Sequence, residues 1–328
     1  MRAIVIKKYG GPEVLAIEQR PDPIPTQDQV LIEVMAFGLN HAEVYFRSGA
    51  WGDVAEITGI ECVGRVKHDP SNQFRPGEKV AAVVGGMGRN LNGSYAEMAA
   101  VPRSNVVAVK TDLPWADFAA IPESYATAWT GLIGILSIKA GQTVMVRGAT
   151  SALGQAAINI ATHAGAFVIG TTRRSERAQL IRGLGAQEVL IEGPELSKRI
   201  RESHVSGIDA VLDIVGNTTA LDSLATLRRG GSVCEVGFLG AGGPLTLEPV
   251  FQIPSGRNLV TFASAVVTGT TEFPLSEIPF QAIVDQVAAG SYKAKPARVF
   301  KFEDIQEAHR VMESGRSTGK LVVLVEAN

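Results

Sequence analysis

The chain has 328 residues, 45% of them hydrophobic and 20% charged, with glycines scattered rather than periodic. This length exceeds one ordinary core, so we expect two globular domains of about 150 residues each. The 31 Lys and Arg residues against 33 Asp and Glu residues leave a net charge of −2, which excludes a general attraction for nucleic acid or anionic membranes.

Two cysteines, Cys62 and Cys234, are too few for a disulfide framework or a four-cysteine zinc lobe. No stretch approaches the roughly 18 uninterrupted apolar residues of a membrane helix, and the first residues lack the apolar region of a signal peptide. We therefore expect a cytoplasmic protein whose thiols are buried and inert.

From residue 1 to about 110, short apolar runs are broken by Gly and Pro, which predicts antiparallel strands joined by turns. From about 142, apolar strands alternate with amphipathic helices predicted at 154–164, 176–184, 195–203 and 218–227. This alternation predicts a doubly wound parallel sheet with helices on both faces. The last part predicts a strand, a helix at about 303–314 and a final strand that packs on the first domain.

The stretch VRGATSALGQA, residues 146–156, follows the first strand of the predicted parallel sheet. A dinucleotide-binding loop at this place needs one tight turn and close approach of the backbone to phosphate. Gly148 and Gly154 meet those needs, and Ala149, Ser151 and Ala152 are small. Gly154 falls at the start of a helix, where N–H groups and the helix dipole favour phosphate oxygens. A tight turn without a ligand is the alternative interpretation.

The second strand ends in VIGTTRRSERA instead of the Asp or Glu that an NAD-preferring site places here. Thr172 is followed by Arg173, Arg174 and Arg177. Cations oppose the dipole at a helix N-terminus, so three arginines there predict a bound anion. We interpret the anion as the 2′-phosphate of NADPH; surface arginines that only decorate the helix are the alternative.

Seven segments carry a resemblance that runs from residue 1 to the closing GKLVVLV. They are FGLNHAEVYFRSG, TGIECVGRV, FRPGEKVAAV, GSYAEMAAVP, VRGATSALGQAAINIA, VLDIVGN and GSVCEVGFLGAGG. In this order they resemble the medium-chain dehydrogenase/reductase superfamily, and the branch most similar is that of zinc-free NADPH:quinone oxidoreductases. The resemblance implies an α/β protein: a GroES-like, mostly-β catalytic domain at 1–122 and 265–328, a Rossmann NADPH-binding domain at 123–264, and an active-site cleft between them.

The resemblance also implies that no catalytic zinc is bound. Asn40 and Ile60 stand where zinc-dependent relatives have Cys and His ligands, and Glu123 aligns with the third ligand position. An isoleucine cannot ligate a metal, and an amide is a poor zinc ligand. Without a metal, the expected reaction is hydride transfer from NADPH to an acceptor whose developing charge is held by hydrogen bonds.

Asn40 and three residues near it are the candidates for contact with the acceptor or the cofactor. Asn40 is expected to donate its amide to an acceptor oxygen, unless it only ends a strand by bonding its own backbone. Tyr45 is either a proton donor or a buried structural tyrosine. His41 either contacts the cofactor pyrophosphate or faces solvent. Trp51 is either a wall for a flat substrate or a packing residue.

On the cofactor side, the resemblance assigns Thr127 to the nicotinamide neighbourhood and residues 151–154 to the pyrophosphate. It places Val215 and Gly216 at the end of the fourth strand, and residues 237–239 along the nicotinamide half. The predicted cofactor-binding set is Asn40, His41, Thr127, Ser151, Ala152, Leu153, Gly154, Thr172, Arg173, Arg174, Arg177, Val215, Gly216, Gly237, Phe238 and Leu239.

The expected activity is an NADPH-dependent, zinc-independent reduction of quinones or α,β-unsaturated carbonyl compounds by a cytoplasmic enzyme. One alternative is a 2-enoyl thioester reductase with Tyr45 as proton donor. Another is a non-catalytic NADPH-binding structural protein that contacts RNA, although the neutral charge argues against the RNA. The apolar run NLVTFASAVV, about 258–267, predicts an exposed sheet edge that pairs with a second copy, hence a homodimer.

Overall fold

The computed structural model describes residues 1–240 and 243–325. Two compact units make up the chain: Met1–Ala126 together with Ser264–Asn328, and Thr127–Ala263. We call the first the terminal unit, because it contains both chain ends, and the second the inserted unit. In the described residues no helix is both long and apolar enough to span a bilayer.

The strands, numbered in chain order, divide between three sheets. Their bounds are β1 Arg2–Ile6, β2 Leu15–Gln19, β3 Gln29–Gly38, β4 Glu61–His68, β5 Lys79–Val83, β6 Met98–Pro102, β7 Val106–Ala108, β8 Thr143–Arg147, β9 Phe167–Thr172, β10 Glu188–Ile191, β11 Ile208–Asp213, β12 Leu227–Glu235, β13 Asn258–Thr261, β14 Arg298–Lys301 and β15 Leu321–Leu324.

The α-helices are α1 His41–Ser48, α2 Trp115–Ala119, α3 Pro122–Trp129, α4 Ala152–His163, α5 Ala178–Gly183, α6 Leu196–Ser203, α7 Ala220–Thr226, α8 Pro249–Gln252, α9 Ser264–Val267, α10 Phe280–Ala288 and α11 Ile305–Glu313. A π-helical segment, Thr130–Ile135, follows α3. Short 3-10 turns occupy Pro12–Val14, Arg103–Asn105, Ser175–Arg177, Leu275–Glu277 and Phe302–Asp304.

The terminal unit is mostly β. A two-stranded sheet joins β1 and β2, and a seven-stranded sheet runs β14-β15-β3-β4-β5-β7, with β6 also paired to β3. Strand β3 is central because Val30, Ile32 and Val34 are at most 2% exposed and lie in one apolar core with β15. The antiparallel strands predicted for residues 1–110 are confirmed, although β2 was not predicted.

The inserted unit is a six-stranded, wholly parallel sheet in the order β10-β9-β8-β11-β12-β13. This confirms the predicted doubly wound architecture. The register aligns Arg147 of β8, Asp213 of β11 and Glu235 of β12, so the carboxyl ends of three strands meet at one level. Ligands of such sheets bind outside this edge.

The apolar run at 258–267 is not one strand, contrary to the prediction. Strand β13 covers only Asn258–Thr261, and Ser264–Val267 is helix α9, which belongs to the terminal unit. A continuous apolar run carries no periodicity that separates strand from helix, so its change of structure was invisible in the sequence. Strand β13 nevertheless lies at the edge of its sheet.

Candidate active site

The turn between β8 and α4 meets its steric demands with two glycines. Gly148 has a φ of +89°, in the left-handed region that glycine adopts without strain. At Gly154, a Cβ atom would lie 2.4 Å from the Gly148 carbonyl oxygen and 2.7 Å from the Ala149 Cα, so only glycine fits. Ser151 is the N-cap of α4, and its Oγ accepts a 3.0 Å hydrogen bond from the Gly154 N–H.

Ala152 and Leu153 form the first turn of α4, a helix of 12 residues. The N–H groups of a first turn have no intrahelical acceptor, and the helix dipole adds positive potential at the same place. The turn is therefore suited to the pyrophosphate of a dinucleotide, as Rossmann helices are.

Three arginines follow β9, which ends at the buried Thr172. The Thr172 Oγ1 accepts a 3.2 Å hydrogen bond from the Arg174 N–H and so orders the turn. Arg173 and Arg174 are exposed, and neither forms an ion pair with any described residue. Burial and the charges of Arg174 and Arg173 lower the pKa of Arg177, while Glu176 opposes this effect. The guanidinium groups repel one another, so an anion bound here would relieve the repulsion.

The loops after β11 and β12 lie against each other. Gly216 has a φ of +84°, and a Cβ there would lie 2.2 Å from the Gly237 carbonyl oxygen and 2.9 Å from the Phe238 Cα. Phe238 and Leu239 are 45% and 36% exposed, so they present apolar surface to solvent. The structure thus brings Val215, Gly216, Gly237 and Phe238 together at the carboxyl edge of the sheet.

Buried charged side chains on β8 and β11 support this edge, and no local pattern in the sequence indicated their pairing. The Asp213 Oδ1 accepts hydrogen bonds from the Val215 and Gly216 N–H groups at 2.9 and 3.0 Å. Arg147, 3% exposed, donates to both oxygens of Glu192 at 3.0 and 2.8 Å. A paired arginine at the end of β8 therefore holds the strand that leads into the Gly148 turn.

Thr127 is the first residue of the inserted unit and lies 1% exposed in α3. The π-helical segment begins three residues later, at Thr130. Segments of π-helix are rare and frequently mark functional sites.

Asn40 follows β3 as the N-cap of α1, and both the oxygen and the nitrogen of its side-chain amide form hydrogen bonds. The Lys320 ammonium donates to the Asn40 Oδ1 over 2.6 Å. An ammonium group can only donate, so this contact fixes the orientation of the amide. The Asn40 Nδ2 then faces the Glu61 Oε1 at 2.9 Å and the Glu43 Oε1 at 3.3 Å. We call Asn40, Glu43, Glu61 and Lys320 the buried cluster.

The carboxylates of the buried cluster are closed off from solvent. Glu43 and Glu61 are each 0% exposed and Lys320 is 4% exposed. Lys320 forms an ion pair with the Glu61 Oε1, and the Glu61 Oε2 accepts a 2.8 Å hydrogen bond from the Glu123 N–H. Glu43 accepts a 3.1 Å hydrogen bond from the Ile60 N–H, and burial raises the pKa of Glu43 to about 8.

Gly38 makes room for the ion pair of the buried cluster. A Cβ at this position would lie 2.3 Å from the Lys320 Cε and 2.5 Å from the Glu61 Oε1. Any larger residue would therefore push Lys320 and Glu61 out of place.

The three positions that carry zinc ligands in related dehydrogenases have other contacts here. Ile60 offers no ligand atom, and the Asn40 side chain is hydrogen-bonded to Glu61 and Lys320. The Glu123 Oε1 accepts a 3.2 Å hydrogen bond from the Ser264 Oγ. Over residues 1–240 and 243–325, no group of three or more His, Cys, Asp or Glu side chains is arranged to hold a metal ion.

The remaining predicted residues of the terminal unit differ in their surroundings. His41 is exposed at the start of α1, while Tyr45 is partly buried and burial raises its pKa. Trp51 packs edge to face on Phe46, with ring centroids 5.3 Å apart, which is a packing contact. Cys62 and Cys234 are both buried, as predicted, although Cys62 lies next to Glu61 of the cluster.

Glu43 and Lys320 are site residues that were not among the sequence-based candidates. The spacing Asn40-x-x-Glu43 is the signature of a capping box, and the Asn40 N–H does donate to the Glu43 Oε2 at 2.5 Å. That local signal could have identified Glu43. No local signal could have paired Lys320 with Asn40, 280 residues away.

Comparisons with known proteins cover nearly the whole chain. Residues 26–111 match the family described as alcohol dehydrogenase GroES-like domain, and residues 184–323 match the family described as zinc-binding dehydrogenase. A quinone oxidoreductase of Homo sapiens is 31% identical over 346 residues, which cover 99% of this chain and 98% of that protein.

Two solved structures share the fold at 27% identity. One is a mycobacterial protein in complex with NADPH, with a TM-score of 0.86 and coverage of 99% of this chain and 100% of that one. The other is an NAD-dependent alcohol dehydrogenase, with a TM-score of 0.83 and the same coverage. The chain therefore belongs to the quinone oxidoreductase family of the medium-chain dehydrogenase/reductase superfamily, and it is an oxidoreductase with a GroES-like domain and a Rossmann-type NAD(P)-binding domain.

Proposed function

We propose that this oxidoreductase uses NADPH, without zinc, to reduce quinones or α,β-unsaturated carbonyl compounds. The solved relatives include both an NADPH complex and an NAD-dependent enzyme, so the residues of this chain must decide the cofactor. The observation that carries the choice is the run of exposed Arg173 and Arg174 directly after Thr172, with no acidic residue at the strand end.

The residues present fit NADPH. The Gly148 turn and the N-terminus of α4 would hold the pyrophosphate, and Arg173 with Arg174 would hold the 2′-phosphate. Hydrogen bonds to charged groups contribute roughly 1.5–3 kcal/mol each. Two of them favour NADPH over NADH by about two to four powers of ten. Bound NADPH supplies the hydride.

Asn40 and Tyr45 are the proposed groups that act on the acceptor. Hydride transfer leaves negative charge on the acceptor oxygen, and hydrogen-bond donors aimed at that oxygen lower the barrier. Lys320 engages the Asn40 Oδ1, so that Nδ2 is the atom of this amide that would donate to an acceptor. The phenol of Tyr45 supplies a proton. His41 stays a predicted phosphate contact.

The cofactor proposal is tested by titrating NADPH and NADH in parallel against the parent protein and the double variant Arg173→Ala/Arg174→Ala. We expect the parent to bind NADPH at least a hundredfold more tightly, and the double variant to lose about two powers of ten in NADPH affinity with little change for NADH. Arg182→Ala, an exposed arginine of α5, is the matched control. Equal affinities in the parent would overturn the assignment.

The reaction is tested by following NADPH oxidation at 340 nm with 9,10-phenanthrenequinone, 1,4-benzoquinone, an enone and a crotonyl thioester. Turnover with the quinones or the enone supports the proposal. Turnover with the thioester alone identifies a 2-enoyl thioester reductase, and tight NADPH binding without any turnover identifies a binding protein.

We also propose that two copies pair through β13. This strand is the edge of its sheet, and Val250 and Phe251 nearby in sequence are each 84% exposed. Exposed edges and apolar side chains are commonly covered by a second subunit. Sedimentation equilibrium of the parent and of a Val260→Lys variant tests this: a dimer that Val260→Lys converts to a monomer is expected. The cytoplasmic location stays a prediction.

A further inference from the structure

The buried cluster contains two carboxyl groups, those of Glu43 and Glu61, and one ammonium group, that of Lys320. Glu43 and Glu61 are both 0% exposed, and Lys320 pairs with Glu61. The titratable groups facing Glu43 are Glu61 of β4, Lys320 beside β15 and Tyr95 before β6. Arg47, one turn along α1, forms its ion pair with another carboxylate. Within the described residues Glu43 thus has no ion-pair partner.

The Asn40 amide cannot donate to an acceptor while both of its N–H groups are held. An amide nitrogen has two donors, and here they face Glu61 at 2.9 Å and Glu43 at 3.3 Å. The longer contact is the weaker one. An acceptor oxygen therefore competes with Glu43, and not with Glu61, for an Asn40 N–H.

We propose that Glu43 is a positioning residue whose protonation state controls Asn40: neutral Glu43 releases an N–H for the acceptor, and ionised Glu43 withholds it. The physical reason is that a hydrogen bond to a carboxylate is roughly twice as strong as one to a neutral group. This inference rests on the role of Asn40 in the proposed function. Burial raises the pKa of Glu43 to about 8, so the change falls within a range that assays can reach.

The test is the pH profile of kcat/KM for NADPH-dependent reduction of 9,10-phenanthrenequinone between pH 6 and 10, in the parent and in Glu43→Gln. Because ionisation removes the active form, the parent is expected to lose about tenfold in kcat/KM between pH 7 and 9. Glutamine is neutral throughout, so Glu43→Gln is expected to stay flat and exceed the parent at pH 9.

A matched control separates this effect from general alkaline inactivation. Burial and Asp213 also raise the pKa of Glu235, which lies in the inserted unit. Glu235→Gln is expected to keep the alkaline decline of the parent. The inference is overturned if Glu43→Gln declines in parallel with the parent.

A second readout needs no turnover. In the ligand-free protein, the side-chain amide resonances of Asn40, assigned by their loss in Asn40→Asp, are expected to shift with a midpoint near pH 8 in the parent. An amide that does not respond to pH overturns the inference even if Glu43→Gln fails to fold. If the parent reduces no acceptor, the proposed function fails, while the amide titration still decides whether Glu43 controls Asn40.

Discussion

The two charged regions of this protein are organised in opposite ways. In the buried cluster, Lys320, Asn40 and Glu61 satisfy one another inside the terminal unit. In the arginine cluster of the inserted unit, Arg173 and Arg174 are exposed and unmatched among the described residues. The paired buried charges therefore fix the geometry of their own region, whereas the unmatched exposed charges leave a positive potential that an anion can offset.

The first of two large expected effects concerns the pH dependence of stability in the buried cluster. The pKa of Glu43 is about 8 in the folded protein, above its ordinary range, so between about pH 5 and 8 the folded state binds more protons than the unfolded state. The free energy of unfolding of the parent should therefore fall by about 3.5 kcal/mol over that range relative to Glu43→Gln. Urea unfolding at pH 5, 6, 7 and 8 measures it.

Glu97→Gln is the control for that series, because the pKa of Glu97 is shifted in the opposite direction and its ionisation therefore stabilises the folded state. Burial raises the pKa of Glu97, but hydrogen bonds from Arg2 lower it, and the net shift is downward. The stability that ionised Glu97 contributes is present above the pKa of the carboxyl group in the unfolded chain. It is lost only as the pH falls through the lower pKa of the folded state. Equal slopes for the parent and Glu43→Gln between pH 5 and 8 would contradict the buried, proton-linked Glu43.

The next effect is the loss of the ammonium group. Lys320→Met leaves Glu61 buried without its cation, which should cost about 3–5 kcal/mol of unfolding free energy at pH 7. Lys198→Met breaks an exposed pair with Glu195 and should cost about 0–1 kcal/mol. Urea unfolding compares the two. A cost under about 1 kcal/mol for Lys320→Met would mean that the ion pair does not organise the cluster.

The smallest effect is expected in the arginine cluster. Arg174→Gln should change the unfolding free energy by less than about 0.5 kcal/mol without ligand, because Arg174 is exposed and forms no ion pair with a described residue. Arg147→Gln, the buried arginine of the same unit, should cost about 3–5 kcal/mol. Thermal melting with and without NADPH compares them. A large ligand-free loss for Arg174→Gln would show that the arginine is structural.

Features that depend on neighbouring residues were predictable from the sequence. The Gly148 turn depends only on residues 148–154. Gly148 occupies the position with a positive φ, and Gly154 the position where the backbone of the turn comes too close for a Cβ atom. Arg173 and Arg174 follow a strand whose end was recognisable from its apolar run. The apolar run at 258–267 was not predictable, because β13 and α9 are alike in composition.

From the sequence one can predict most of the order of strands and helices, the Gly148 turn and the arginines after β9, because these features depend on local backbone preference and periodicity. The tertiary structure was needed to show which charged side chains are buried and which partners they have: Arg147 with Glu192, and Lys320 with Glu61 and Asn40. Pairing between distant residues depends on sheet register, and the free energy of a charge depends on the protein packed around it.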